Sequence, residues 1–299
     1  MQTVLDGPQL AATRQALLER GSDELIDLIF KLNLGRPTSE CSSSAVEKAR
    51  SLGWIGSQAL QLTPLGFLVA DPIREYRFWL DRDRRLHSEK EYALLARDAY
   101  RGKSVLEIGS GFGCNLFSLQ GVEGRFVGVE PVAIYRQFTP ILAEREQIAT
   151  PTVVDGRGES IPFPDAHFDV VLCYSAHQYM DIRPALKEMA RVVRPGGQLQ
   201  IIGGTFGGYA SYAISNLIKR RRMRAAKAHL LTIINTISYC GLGKRVYIPG
   251  GEWATTAPIY PPERFMNRWL TDAGLVVAHD LFRRVLGEAC FIAVKPAAN

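Results

Sequence analysis

A chain of 299 residues can bury one large core or two smaller ones, and at 46% hydrophobic and 22% charged it should be globular rather than disordered. No apolar run approaches the roughly twenty residues that span a bilayer. Much of the excess behind the net charge of +6 gathers at Lys219, Arg220, Arg221, Arg222, Arg224 and Lys227, so the whole-chain value is weak evidence for a nucleic-acid partner.

The first residues, 1–6, lack a basic segment followed by an apolar one, so no secretory leader is expected. Five dispersed cysteines (41, 114, 173, 240 and 290) with no C-x-x-C pair predict reduced thiols, a cytoplasmic setting and no metal site. Helical periodicity covers residues 13–20 and 23–33, with Ser22 as N-cap and Leu25, Ile26, Leu28, Ile29 and Leu32 on the apolar face. After the break at Gly35-Arg36-Pro37, residues 42–52 read as a helix closed by Gly53. Residues 54–66 read as a short hairpin ending in a capped Leu62-Thr63-Pro64-Leu65-Gly66 turn. This order of elements resembles a winged-helix domain. A DNA-reading version needs a basic recognition helix, and residues 42–50 offer only Lys48 and Arg50 against Glu47, so a role other than DNA reading is expected. Residues 71–100 are highly charged, with Tyr76, Phe78, Trp79, Leu80, Tyr92, Leu94 and Leu95 interspersed, and predict one or two amphipathic linking helices. Their aromatics either pack on the core or line a substrate pocket. Residues 1–100 thus form one predicted domain and 101–299 another.

The second domain is organised around Val105-Leu106-Glu107-Ile108-Gly109-Ser110-Gly111-Phe112-Gly113-Cys114. A short apolar run that ends in glycines predicts a strand, a tight turn open to positive φ, and a helix whose first N–H groups face a ligand. About twenty residues on, Phe126-Val127-Gly128-Val129-Glu130 predicts a second strand ending in a carboxylate suited to ribose hydroxyls, followed by Pro131. The ligand should contain a nucleoside. Cys114 stands where a dinucleotide fingerprint wants its third glycine, and Glu107 would repel a pyrophosphate but attract a cation. An oxidoreductase on the same plan is therefore disfavoured.

With Glu107 before the glycines and Glu130 after them, the stretch resembles the first motif, E/D-x-G-x-G-x-G, of the class I S-adenosylmethionine-dependent methyltransferases. The resemblance implies a Rossmann-like α/β fold: a seven-stranded sheet with helices on both faces, preceded by the mainly helical, winged-helix-like domain that small-molecule methyltransferases often use for dimerisation and substrate enclosure. It also implies that Gly109, Ser110, Gly111 and Gly113 lie beneath the methionine part of the cofactor, that Glu107 sits near its ammonium, and that Glu130 holds the ribose.

A helix at 133–146 and a strand at 151–154 follow. Residues 155–169 then resemble the family's G-D-A-E-x-L-P-F…F-D stretch over the adenine. Arg157 replaces the usual aspartate and has no acceptor for the adenine amino group, leaving stacking by Arg157 or the backbone of Gly158. Glu159 is expected to cap the turn. Residues 168–174 read as a buried strand. The segment just beyond it, from Tyr174 through His177 to Met180, should face the transferable methyl, with His177 as base or as orienting group. A helix over 184–193 stops at Arg194-Pro195-Gly196-Gly197, and a strand starts at Gln198. Residues 204–258 are a helical insertion placed as a lid would be. Its basic run suits a solvated face, an anionic lipid surface met through 212–239, or an anionic substrate. A last helix entered through prolines at 258–262, and strands at 275–282 and 288–295, complete the plan. The expected function is methyl transfer to a small-molecule oxygen or nitrogen by a cytoplasmic enzyme, with a homodimer in keeping with the N-terminal domain. An S-adenosylmethionine-responsive DNA-binding regulator and a tRNA or protein methyltransferase are the rival readings.

Overall fold

A computed structural model describes residues 3–86, 97–219, 226–246, 258–278, 283–285 and 288–297. In chain order the helices are α1 Gly7–Leu18, α2 Ser22–Asn33, α3 Ser43–Ser51, α4 Pro64–Leu86, α5 Cys114–Ser118, α6 Ala133–Arg145, α7 Ile182–Val192, α8 Phe206–Ile214, α9 Ala226–Leu242 and α10 Glu263–Asp272. The strands are β1 Lys103–Ile108, β2 Gly124–Val129, β3 Thr152–Val154, β4 Phe168–Tyr174, β5 Val193–Gly203, β6 Val276–Val277, β7 Arg283–Val285 and β8 Glu288–Val294. The chain divides into two compact units. One is Met1–Gly102 with Ser110–Gly156, and the other is Lys103–Gly109 with Arg157–Asn299.

In the first unit, β2 and β3 run parallel and α1 to α4 pack with α6 around an apolar core of Leu17, Leu28, Ile29, Trp54, Ile73 and Phe138. Gly21, in the left-handed region, is the N-cap of α2, so Ser22 is its first residue rather than its cap. The Ser22 hydroxyl instead accepts from Arg145, whose guanidinium also reaches the Leu17 carbonyl, Tyr76 and Asp23. The predicted hairpin shrinks to a single antiparallel bridge, Ile55 to Leu62. The Thr63-Pro64 pair that was expected to close it opens α4. The Thr63 hydroxyl accepts from the Gly66 N–H at 3.0 Å, and Pro64 takes the first helical position, where its missing N–H costs nothing. The aromatic face of α4 has a defined use. Tyr76 and Trp79 are buried, and Phe112 from the glycine turn packs edge-on to Tyr76 and Phe117, at 6.1 and 5.3 Å between ring centroids. Tyr92, Leu94 and Leu95 lie outside the described residues.

In the second unit, β1, β4 and β5 are parallel neighbours in that order, and β8 runs antiparallel to β5. Both β6 and β7 pair antiparallel with β8 on its other edge and share one strand position; β6 lies within the single strand predicted over 275–282, and β7 lies just past its end. Seven strand positions alternating with helices, parallel until an antiparallel C-terminal strand, make a Rossmann-like fold. The Arg194–Gly197 segment differs from expectation. Helix α7 ends at Val192, and Val193 already has extended backbone; Arg194, Pro195, Gly196 and Gly197 belong to β5. Gly196 has φ +76°, its N–H donates to the Lys295 carbonyl, and the β4–β5 register shifts between Phe168 and Val170. These glycines therefore shape a strand irregularity, not a helix cap. Within the insertion α8 begins at Phe206 and passes into a π-turn at Ser215–Lys219. Residues 220–225 and Pro249-Gly250-Gly251 lie outside the described residues.

Candidate active site

The first unit holds one half of the predicted constellation. Gly111, at φ +58°, donates its N–H to Glu130 Oε2 at 2.9 Å, and the Val132 N–H donates to Oε1 at 2.9 Å. The carboxylate at the end of β2 is therefore tied by two backbone donors to the glycine turn and to the entry of α6, with Pro131 exposed between. Burial raises the Glu130 pKa, against the two N–H bonds and Arg136, which lower it. Gly113, at φ +92°, is the N-cap of α5, and a Cβ there would stand 3.3 Å from Pro151 and Val153. Cys114 is the first residue of α5. Ser110 is buried, and among the described residues its hydroxyl has no hydrogen-bond partner; a Cβ on Gly128 would come within 2.4 Å of it.

The second unit holds the other half. Glu107 is buried in β1 beside Leu172 of β4, and its charge adds to burial in pushing the Cys173 thiol up to about 12. Gly109, at φ +69°, and Gly158 have an architectural duty. A Cβ on the first would lie 2.3 Å from the Ala176 Cβ, and one on the second 2.5 Å from Met180 Sδ. Both glycines therefore seat the turn that follows β4. Arg157 is exposed and stands 3.9 Å from Glu159. Glu159 accepts the Asp181 N–H at 2.7 Å, so its bond goes to the entry of α7 rather than to its own turn. Tyr174 ends β4 half-buried and pairs with Ile202. Ser175 then adopts φ +48°, an uncommon conformation for a non-glycine residue, and donates its N–H to the Ile202 carbonyl at 2.7 Å.

His177 follows in a short 3₁₀ turn. It is buried, neither ring nitrogen has a hydrogen-bond partner among the described residues, and burial lowers its pKa to about 4. Its ring lies on Gly203, where a Cβ would stand 2.3 Å from Cε1. The imidazole is thus neutral at physiological pH and a weak base.

A second group of side chains gathers here, of which Tyr260 and His229 escaped the sequence reading. A Cβ on Gly204 would meet the Tyr260 ring at 2.8 Å; Tyr260 stacks on Tyr209 at 4.5 Å, and the Tyr209 hydroxyl lies 2.8 Å from His229 Nδ1. His177, Tyr260, Tyr209 and His229 thus follow one another at the carboxyl end of β5, the end of an open α/β sheet where ligands bind. The available signal was the pair Gly203-Gly204 at a strand exit, which admits a ring on either side.

The residues present fit S-adenosylmethionine. In the first unit the buried Glu130 carboxylate suits a cationic nucleoside, and the Ser110 hydroxyl of the glycine turn is a buried polar atom without a hydrogen-bond partner among the described residues; in the second unit Glu107 is a buried carboxylate of the same sign. The comparisons with known proteins agree at the level of one domain. Residues 106–201 match the family model described as "Methyltransferase domain". The uncharacterized methyltransferase YcgJ of Bacillus subtilis (strain 168) is 30% identical over 99 residues, 33% of this chain and 39% of that protein. The ubiquinone/menaquinone biosynthesis C-methyltransferase UbiE of Shewanella sp. (strain ANA-3) is 27% identical over 132 residues, 42% of this chain and 49% of that protein. The matches thus span less than half the length of these curated relatives. Among solved structures, magnesium protoporphyrin IX methyltransferase (ChlM) of Synechocystis PCC 6803 with bound SAH is 14% identical, covers 85% of this chain and 95% of that one, and has a TM-score of 0.47. Over residues 106–201 the chain is thus similar to a methyltransferase domain.

Proposed function

We propose that the protein transfers the methyl group of S-adenosylmethionine to a small-molecule acceptor through oxygen or nitrogen. The observation that carries this reading is Glu130, a buried carboxylate at the end of β2 whose two oxygens are oriented by the Gly111 and Val132 N–H groups, within a matched methyltransferase domain. The cofactor supplies a methyl on a sulfonium. Glu130 holds the ribose hydroxyls on lone pairs that its backbone donors leave open, and Glu107 meets the ammonium. Gly109, Gly111 and Gly113 keep the turn free of side chains, while Gly158 and Arg157 border the adenine. Methyl transfer needs in-line alignment more than proton abstraction, which agrees with a His177 that orients the acceptor as a neutral imidazole. The insertion over 204–258 serves as the lid.

Residues 1–100 form the winged-helix-like domain in this reading and serve dimerisation rather than DNA reading. In support, Lys48 of α3, one of its two basic residues, is paired with Glu19 at 2.7 Å. Calorimetric titration of Glu130→Ala and Glu130→Gln with S-adenosylmethionine tests the assignment. Both should bind at least about tenfold more weakly, as expected for lost hydrogen bonds to a charged group. Unchanged affinity in a folded Gln variant would sink the assignment.

A further inference from the structure

Helix α9 is amphipathic the wrong way round. Its buried face is polar: His229, Thr232, Asn235, Thr236 and Tyr239 are all between 2% and 6% exposed. The outward stripe is aliphatic, with Leu230, Ile234 and Ile237 at 58%, 39% and 62% exposed. Those three sit at i, i+4 and i+7, so they form one ridge along the helix.

The inversion is held in place by directional bonds. Asn235 Oδ1 accepts the Val246 N–H at 2.7 Å, the Thr236 hydroxyl accepts the Tyr260 N–H at 3.1 Å, and the Tyr239 hydroxyl accepts the Arg183 N–H at 2.9 Å and donates to Asp181. His229 Nδ1 pairs with the Tyr209 hydroxyl. Turning the helix to bury its isoleucines would break all of these. Exposed Tyr212 of α8, whose ring contacts His229, continues the apolar surface beside the first turns of α9.

Charge identifies the occupant. Residues 204–251 contain eight Lys and Arg and not one Asp or Glu, an excess larger than the +6 of the whole chain. Lys227 is exposed on α9 itself, and Arg220, Arg221, Arg222 and Arg224 precede that helix within a few residues of chain. A segment with eight cations and no carboxylate opposes the docking of a second copy of itself. A polynucleotide would satisfy the charge but leave the aliphatic ridge in water. An anionic bilayer satisfies both, because its headgroups attract the cations while its acyl boundary takes the ridge.

We infer that the outward face of α9 docks on an anionic lipid bilayer, with Leu230, Ile234 and Ile237 entering the interface. This inference stands apart from the methyl-transfer reading and does not require it.

Co-sedimentation of the full chain with phosphatidylcholine vesicles containing phosphatidylglycerol is the test. The protein should pellet with these vesicles, pellet much less with phosphatidylcholine alone, and be released by salt, since each cation near the surface contributes about fivefold. Ile234→Glu/Ile237→Glu should lower partitioning at least about tenfold, two aliphatic contacts being replaced by charges. Leu230→Trp keeps the test open should that variant misfold: its extra fluorescence should shift to the blue on anionic vesicles. No pelleting with anionic vesicles, or pelleting that the double variant leaves unchanged, overturns the inference. So does a solution dimer that the double variant dissolves, which would assign the face to a second copy. Retention on RNA without retention on vesicles would assign it to nucleic acid instead.

Discussion

Acidification should unfold this protein through His177. The imidazole is buried without a hydrogen-bond partner among the described residues, and burial pushes its pKa down to about 4 from the ordinary histidine value of about 6.5. Between those two values the unfolded chain binds a proton that the folded chain refuses, so stability rises with pH. It is fully present above the unfolded pKa and is lost as pH falls. Each unit of difference is worth 1.36 kcal/mol, so this one group removes about 2 kcal/mol by pH 5 and about 3 kcal/mol by pH 4. Urea unfolding of the wild type and of His177→Asn at pH 7, 6, 5 and 4 isolates the contribution. Asparagine does not titrate, so the gap between the two proteins should narrow by that amount on acidification, whatever its size at pH 7. Parallel stability curves from pH 7 to 4 would refute the argument. They would mean that the imidazole reaches water or a partner in solution. The same pKa predicts that no His177 titration appears in a rate profile between pH 6 and 8.

Four substitutions probe packing. Gly66→Ala, in the first turn of α4, would place a Cβ 1.9 Å from the Trp54 carbonyl oxygen, a backbone atom that cannot swing aside, and should cost about 3 kcal/mol in urea unfolding. Gly109→Ala combines φ +69° with a Cβ 2.3 Å from Ala176, whereas Gly111→Ala, at φ +58°, meets only Tyr135 at 3.9 Å. The first should lose about 3 kcal/mol by thermal or urea melting, and the second only about 1 to 2. Arg145→Met would leave the Leu17 carbonyl without its guanidinium donor and remove the bond to Ser22, so unfolding of the first unit should become easier by about 2–4 kcal/mol.

Much of the fold was legible because the strands carry their own punctuation. Residues 105–113 and 168–174 show continuous apolar runs ending in a glycine turn or a polar exit, and both appear where that pattern puts them. The Arg194-Pro195-Gly196-Gly197 stop was misread because proline and glycine end helices more often than they bend strands. Here the carbonyl of Gly197 and the N–H of Gly196 pair with Lys295, a hundred residues away, and sequence proximity carries no trace of that. The Thr63-Pro64 pair was misassigned for a related reason: the same dipeptide serves a turn and a helix start, and only the following helix decides. In the site, the carboxylates were legible from charge beside glycine. The row from Tyr260 through Tyr209 to His229 was not, because it joins residues from a loop and two helices, Tyr209 and Tyr260 being 51 positions apart.

The pair Gly203-Gly204 has a mechanical consequence. Neighbouring positions along an extended chain face opposite ways, so the His177 ring and the Tyr260 ring grip the end of β5 like the jaws of a clamp, one on each glycine. A clamp of this kind resists sliding. Advancing β5 by one residue would push the Ile202 side chain into one jaw or the Thr205 side chain into the other. This end of the strand is therefore indexed by two missing side chains, and its tolerance is set where the sequence has least to show.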